Sequence, residues 1–182
     1  MPGENELNRF PVRKNPRSKY IDYTSQNYYF VTICTKDKRC LFGEPSILSA
    51  FGRVEKDRLE GIAEHFCGVT VDKWVVMPNH VHAIIVLNGN GVPLSTVIGQ
   101  YKSAVTRQLH KISPDISIWQ NSFHDHVIRN QKDYERIWSY IDANPARWMD
   151  DCFYVPSTNL KNSLIGGVMT PPYEKEEKLW NF

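Results

Sequence analysis

The sequence predicts an α+β fold in which helices cover one face of a sheet, and three observations lead to this prediction. Segments rich in β-branched and aromatic residues recur along the chain, as expected of strands. Between them lie longer stretches whose apolar residues recur every three or four positions, which is the period of a helix with one buried face. The order strand, helix, strand, strand, helix, strand, helix indicates a split β-α-β sheet whose other face is open for a ligand.

Four segments are predicted to be strands. The first, YYFVTICT, covers residues 28–35. GVTVDKWVVM at 68–77 and HAIIVL at 82–87 are the next two, and the turn signal Pro78-Asn79 between them predicts a hairpin. A short fourth strand is predicted within SIWQNSFHDHVIRN, residues 117–130.

Three helices are predicted from the spacing of apolar residues. The first covers residues 46–66 and the second covers residues 94–111. Asn130 or Asp133 can cap the third helix, which ends near position 144. The predicted inner face of the second helix consists of Leu94, Val97, Ile98, Tyr101, Val105 and Leu109.

Length and composition indicate one domain with a segment on either side. Residues 1–26 are polar, basic and rich in proline, and we predict that they form an N-terminal arm. Residues 27–148 form the predicted domain, and residues 149–182 a C-terminal extension. The 41% of hydrophobic residues can fill a core, which excludes wholesale disorder, whereas the net charge of +2 says little about partners.

The sequence gives no indication of a membrane or an oxidising compartment. No apolar run reaches the roughly 18 residues of a membrane span, and no signal-peptide pattern opens the chain. The four cysteines show no CxxC spacing. We therefore expect a cytoplasmic protein with reduced thiols and no membrane partner.

The N-terminal arm carries a cluster of positive charge that includes Arg13, Lys14 and Arg17. Such a cluster can neutralise the phosphates of a nucleic acid. The alternative is an ordinary solvated arm, and the charges alone do not decide between the two.

Two histidines, His80 and His82, interrupt the apolar run WVVMPNHVHAIIVL. Residues i and i+2 of a strand point to the same face, so both imidazoles can converge on one metal ion or phosphate. The alternative is a hydrogen-bonded histidine at the turn followed by a semi-buried one. A second pair, His124 and His126, has the same spacing and the same two interpretations.

The third predicted helix places Tyr140 and Asn144 four residues apart and therefore on one face. Asn144 can offer an oxygen to a metal. The phenol of Tyr140, with an ordinary pKa near about 10, becomes a plausible nucleophile only beside a metal-bound phosphate. The plain alternatives are that Tyr140 borders the helix core and that Asn144, which precedes Pro145, ends the helix.

Five segments, MPNHVHAIIVL, YFVTICT, GQYKSAVTR, IWQNSFHDHVIRN and YIDANP, together resemble one known family. The first resembles the histidine-hydrophobe-histidine motif of the HUH single-strand endonucleases. The ordered set resembles their REP-associated tyrosine transposase branch over roughly residues 20–148. The resemblance implies a ferredoxin-like, RRM-like antiparallel sheet and the cleavage and rejoining of DNA near hairpins through a 5′-phosphotyrosine.

The resemblance also implies roles for individual residues. His80, His82 and Asn144 would bind Mg²⁺ or Mn²⁺, and Tyr140 would be the nucleophile. No general base is evident, and His126 is a candidate. The implied partner is single-stranded or hairpin DNA, bound in the bacterial cytoplasm at the nucleoid by a monomer or homodimer. Besides the arm, the expected DNA contacts are Lys102, which matches the YKS segment, Arg107, Arg129 and Arg147.

Two other functions compete with this one. An RRM-like module could bind nucleic acid without cutting it, although such modules expose aromatic residues where this chain has His80 and His82. A metal-dependent hydrolase of small substrates would use Tyr140 only structurally.

Overall fold

A computed structural model of the chain describes residue 24, residues 26–89 and residues 91–156. In chain order the elements are β1 (Asn27–Cys34), β2 (Gly43–Glu44), β3 (Ile47–Leu48), α1 (Ala50–Glu60), α2 (Ile62–His65), β4 (Val69–Met77), β5 (His80–Leu87), α3 (Leu94–Leu109), β6 (His124–Ile128) and α4 (Gln131–Ala143). Short 3-10 turns cover Lys36–Lys38 and Pro145–Asp150. Within the described ranges, no helix is both long and apolar enough to cross a bilayer.

Four strands form one antiparallel sheet in the order β4-β5-β1-β6. β1 pairs antiparallel with both β5 and β6, and β5 pairs antiparallel with β4. β1 and β4 therefore run parallel on the two sides of β5, which is the split β-α-β arrangement that the sequence predicted. The α+β class, the antiparallel sheet and the order of the elements are confirmed. β5 begins at His80, two residues before the predicted start at 82.

Side chains alternate between the two faces of the sheet, and each face has its own hydrophobic core. On one face, odd-numbered residues of β1 such as Val31 pack into the large core with α1, α2 and α3. On the other face, Phe30 and Ile84 pack against Ile137 and Ile141 of α4. The expectation that this second face is open was wrong in part, because α4 covers it.

The predicted single helix over 46–66 is broken into shorter elements. A small hairpin of β2 and β3 occupies its beginning, with left-handed backbone at Gly43 and Ser46. Ser49 then caps α1 by accepting a hydrogen bond from the backbone N–H of Gly52 at 3.1 Å. Gly61 separates α1 from α2, as expected of a residue with a low helix propensity.

β4 has a bulge between Val71 and Lys73. Side chains at this bulge make two contacts that hold α4 on the sheet. Asp72 accepts a hydrogen bond of 2.6 Å from the phenol of Tyr134 near the start of α4. Lys73 donates to Asp142 at 2.5 Å near the end of the same helix. The predicted cap at Asn130 is confirmed, since its side chain accepts from the backbone N–H of Asp133 at 2.9 Å.

Glu55 of α1 is fully buried, and neither of its carboxylate oxygens has a hydrogen-bond partner among the described residues. Burial raises the pKa of its carboxyl well above the ordinary value of 4.5. The folded chain therefore holds this proton more tightly than the unfolded chain does. The contribution of Glu55 to stability accordingly declines as the pH rises through the range above 4.5.

We expect Glu55→Met to raise the free energy of unfolding at pH 7 by about 1–3 kcal/mol, because it removes an unsatisfied buried carboxyl. Urea denaturation between acidic and neutral pH measures the effect, which is expected to grow as the pH rises. The control is Glu60→Met, at an exposed position of the same helix. Equal stabilities of the two variants at pH 7 would contradict the prediction.

Candidate active site

Tyr140 of α4 lies beside the two histidines of the hairpin that β4 and β5 form. Ile137 and Ile141 pack into the smaller core between α4 and the sheet. Tyr140 lies on the same face of the helix, so it also points to the sheet and is almost fully buried. Its phenol oxygen lies 3.3 Å from Nε2 of His82, and its ring packs edge-on against Phe30. The predicted proximity of this tyrosine and the two histidines is therefore found within a single chain.

His80 and His82 lie on the same face of β5, fully buried, with ring centroids 4.5 Å apart. Nδ1 of His80 lies 2.9 Å from Oδ1 of Asn79, whose Nδ2 donates to the backbone oxygens of Lys38 and Phe153. Oδ1 of Asn79 is therefore an acceptor, and Nδ1 of His80 carries the hydrogen. This tautomer leaves a lone pair on Nε2 of His80, which has no partner among the described residues.

Nδ1 of His82 lies 2.9 Å from the hydroxyl of Thr32, directly across the β1–β5 ladder. Burial lowers the pKa of His82 to about 3. Burial, and then the charges of His82 and Lys38, lower the pKa of His80 well below its ordinary value. Both imidazoles are therefore neutral near pH 7, which is the state in which histidine binds metals.

Asp151 completes a cluster that could hold a metal ion. One ligand atom each from His80, His82 and Asp151 can be chosen so that all three lie within 4.8 Å of one another. Oδ2 of Asp151 is 4.0 Å from Nε2 of His80, and Oδ1 accepts from the backbone N–H of Phe153 at 2.6 Å. Two buried acceptors that face each other across this distance favour a cation between them. The donor set of two imidazoles and a carboxylate can hold a divalent metal ion.

Asn144 is fully buried immediately after α4, so the helix ends where the sequence predicted. Burial raises the pKa of Asp151, and the nearby Asn144 side chain is among the influences that lower it. Neither Oδ1 nor Nδ2 of Asn144 has a hydrogen-bond partner among the described residues. The residue predicted as a third ligand is thus beside the cluster.

The predicted DNA-contacting residues lie on different faces of the molecule. Lys102 donates to the backbone oxygen of Gln120 at 2.5 Å, and burial lowers its pKa. Lys102 and the exposed Arg107 line one surface cavity of about 510 Å³ beside α3. Arg129 is exposed at the start of α4, on the other side of the sheet. Arg13, Lys14 and Arg17 lie outside the described residues.

His126, the candidate general base, bonds to the first turn of α4. Its Nε2 lies 2.8 Å from Oδ2 of Asp133, and Asp133 also accepts from Arg136. Asp133 and Tyr140 are seven residues apart on α4, which corresponds to about 10 Å along the helix axis. Among the described residues, His124 and His126 form no metal cluster with a third ligand.

Sequence reasoning missed three parts of this site. Asp151 and Phe153 fall in the predicted extension, yet the Phe153 ring packs on His80 with centroids 4.6 Å apart. The sequence indicates only a turn role for Asn79, although its side chain orients His80. The adjacency of Asn79 and His80 could have indicated this second role, whereas no spacing rule links Asp151 to the histidines.

Comparisons with known proteins agree with this geometry. The family model described as "Transposase IS200 like" matches residues 23–144. An uncharacterized protein of Haemophilus influenzae is 32% identical over 168 residues, which cover 79% of this chain and 93% of that protein. A second Haemophilus influenzae protein, named for the REP-associated tyrosine transposases, is 28% identical over 69% of this chain and 74% of its own length. A solved structure of a REP-associated tyrosine transposase bound to a REP hairpin has the same fold, with a TM-score of 0.54 and 24% identity, covering 72% of this chain and 74% of the other.

The chain therefore belongs to the family of IS200-like transposases. The resemblance to the REP-associated tyrosine transposases, predicted from five segments, is confirmed by the named relatives. A transposase role, with cleavage and joining of DNA, follows from this membership.

Asn79→Ala is expected to destabilise the fold by about 2–4 kcal/mol, because it leaves two backbone oxygens and His80 without their buried partner. Denaturant unfolding in the presence of EDTA measures this effect without a contribution from bound metal. Asn88→Ala, at an exposed position just after β5, is the matched control. A loss within about 0.5 kcal/mol of the control would show that Asn79 does not fasten the site.

Proposed function

We propose that this protein is a metal-dependent single-strand DNA endonuclease and transposase that uses Tyr140 as its nucleophile. The observation that supports this most directly is the distance of 3.3 Å between the phenol oxygen of Tyr140 and His82. His82 belongs to the buried cluster that could hold a cation. A phosphodiester bound at that cation would lie within reach of the phenol.

In this proposal, His80, His82 and Asp151 hold a divalent ion, Mg²⁺ or Mn²⁺, and Asn144 lies beside them to supply a further oxygen. When bound, the ion supplies positive charge that polarises the scissile phosphate and stabilises the departing oxygen. Oδ1 of Asn79 accepts from Nδ1 of His80 and so leaves the lone pair of its Nε2 available to the ion. The Thr32 hydroxyl, which can donate or accept, orients the ring of His82 through Nδ1. The buried aromatic surroundings of Tyr140 keep its side chain in one orientation.

The reaction is a transesterification. The phenol oxygen of Tyr140 attacks the phosphorus, a Tyr140–phosphate bond forms at the 5′ side of the break, and the bond to the 3′ oxygen breaks. The phenol loses its proton and the leaving oxygen gains one, so the products are a 5′-phosphotyrosine and a free 3′-OH. Another 3′-OH can reverse the step and rejoin the strand without ATP, because the phosphodiester energy is conserved in the enzyme link.

The DNA partner that we propose is a hairpin with a single-stranded flank, as in the REP hairpin bound by the structural neighbour. Lys102, Arg107, Arg129, Arg147 and the basic arm would contact its backbone, which positions the strand without reading its sequence. Such a protein would act at the bacterial nucleoid. Since one chain brings the tyrosine and its metal cluster together, a monomer would suffice for cleavage, and a homodimer that exchanges α4 is not required.

Tyr140→Phe is expected to abolish formation of the covalent protein–DNA link, because it removes the attacking oxygen while keeping the ring. The measurement is a denaturing gel after incubation of each protein with Mn²⁺ and a REP-type hairpin that carries single-stranded flanks. Ser139→Ala, which removes an exposed hydroxyl from the neighbouring position of the same helix, is the matched control. Cleavage that survives in Tyr140→Phe would indicate hydrolysis by water, and retention of DNA without any cutting by the wild type would indicate a binding module.

Asp151→Asn is expected to weaken Mn²⁺ binding by roughly 10-fold or more, because it removes the anionic ligand while preserving the bond from the Phe153 N–H. Isothermal titration calorimetry without DNA measures the affinity. Asp150→Asn, the adjacent and exposed carboxylate, is the control. Equal Mn²⁺ affinities of the two aspartate variants would exclude Asp151 as a ligand.

We expect His80→Ala to lose both metal binding and cleavage while keeping most of its affinity for DNA.

A further inference from the structure

A second cavity, which none of the comparisons assigns, lies on the same sheet face as Tyr140, at the opposite end of α4. It has a volume of about 440 Å³ and is lined by Tyr28, Asp72, Ile128, Arg129, Asn130, Gln131 and Tyr134. This volume falls within the range of about 300–1,000 Å³ that is common for ligand pockets. Because the face is shared with the proposed cleavage site, a single strand bound there can extend into this cavity.

Tyr28 gives the cavity a free aromatic surface. The residue is 42% exposed, which is unusual for a large apolar residue in this sheet. Tyr134 stands edge-on to it, with ring centroids 6.0 Å apart and planes at 87°. The hydrogen bond from Tyr134 to Asp72 fixes the second ring, so the two rings form a rigid corner. A flat aromatic ligand can stack on Tyr28 with its edge against Tyr134.

The exposed Arg129 adds a positive charge at the rim of this corner. An aromatic face beside a cation is the combination that binds single-stranded nucleic acid, because bases stack on the ring and the phosphate lies against the charge. Asn130 and Gln131 bond to Asp133 and Glu135, so they support the wall of the cavity. The chemistry therefore favours one nucleobase of a strand.

The fold holds this corner at a fixed distance from the proposed site of cleavage. Tyr28 and Thr32 belong to β1, and four residues of strand span about 13 Å. Thr32 bonds to His82, and Tyr134 and Tyr140 are six residues apart on α4, which is about 9 Å. Both elements are rigid, and a few nucleotides of single strand bridge such a distance.

We propose that Tyr28, Tyr134 and Arg129 form a nucleobase pocket that binds one base of the single strand a few nucleotides from the cleaved phosphate. This inference rests on the proposed function and adds to it a residue that sets the position of cleavage. Tyr28 stacks on the base, Tyr134 closes one side, and Arg129 neutralises the adjacent phosphate. Which base fits best then influences where Tyr140 cuts.

The test measures binding of fluorescein-labelled single-stranded DNA of about 12 nucleotides by fluorescence anisotropy in EDTA, where no metal-dependent cleavage takes place. Three probes are used: oligo-dT, oligo-dA and a strand of equal length that consists of abasic sites. Tyr28→Ala is expected to lower the affinity for the strands with bases by about 5- to 100-fold, which corresponds to the loss of one stacked base. Tyr28→Phe is expected to bind like the wild type, and the abasic strand to bind equally to wild type and Tyr28→Ala.

The control is Trp138→Ala, another exposed aromatic residue on α4, which is expected to change the affinities little. Thermal unfolding checks that Tyr28→Ala remains folded, and Tyr28→Leu gives a second variant without a ring. If Tyr28→Ala and Trp138→Ala bind alike, or if the loss is as large with the abasic strand, the proposal of a nucleobase pocket is wrong.

If Tyr140→Phe binds like the wild type but neither the wild type nor any variant forms a covalent link with DNA, the proposed function fails and the pocket stands. Absence of any binding by the wild type overturns both.

Discussion

The register of the β1–β5 ladder is the constraint on which the rest of the site depends. It places Thr32 opposite His82 and Cys34 opposite His80, with both histidines on the face that α4 covers. A slip of one residue would turn both imidazoles into the opposite core and put Val81 beneath Tyr140. Apolar odd-numbered residues on both strands oppose such a slip, because each would leave its place in the large core.

The two faces of the sheet consequently have different tasks. The face that packs on α1, α2 and α3 holds most of the buried apolar side chains, and it keeps the strands in register. The other face has a smaller apolar core, and the buried polar residues on it include Thr32, His80 and His82. α4 completes that smaller core, so the packing that stabilises the helix also delivers Tyr140 to the histidines.

Much of this arrangement could be predicted from the sequence because it depends on local periodicity. Alternation within 80–87 placed the histidines on one face, and helical spacing placed Tyr140 four residues before Asn144. The face on which α4 packs could not be predicted, since it depends on which core accepts Ile137 and Ile141. The position of Asp151 could not be predicted either. Asp151 reaches the site through the 3-10 turn after Asn144, and no periodic pattern in the sequence predicts the path of such a turn.

Electrostatics explain why the proposed chemistry needs a bound cation. Among the described residues, the buried polar groups of the site include the neutral imidazoles of His80 and His82, the amides of Asn79 and Asn144, and the carboxyl of Asp151. Lys38 acts on His80 and Asp151 but donates its hydrogen bond to the backbone oxygen of Cys152. A phosphodiester that entered this site would add a negative charge beside Asp151 in a region of low dielectric, at a cost of several kcal/mol. A bound divalent ion would turn this repulsion between the phosphodiester and Asp151 into a net attraction to the site. The burial that keeps the histidines neutral would then strengthen the binding of the phosphate, and Tyr140 would have a polarised phosphorus to attack.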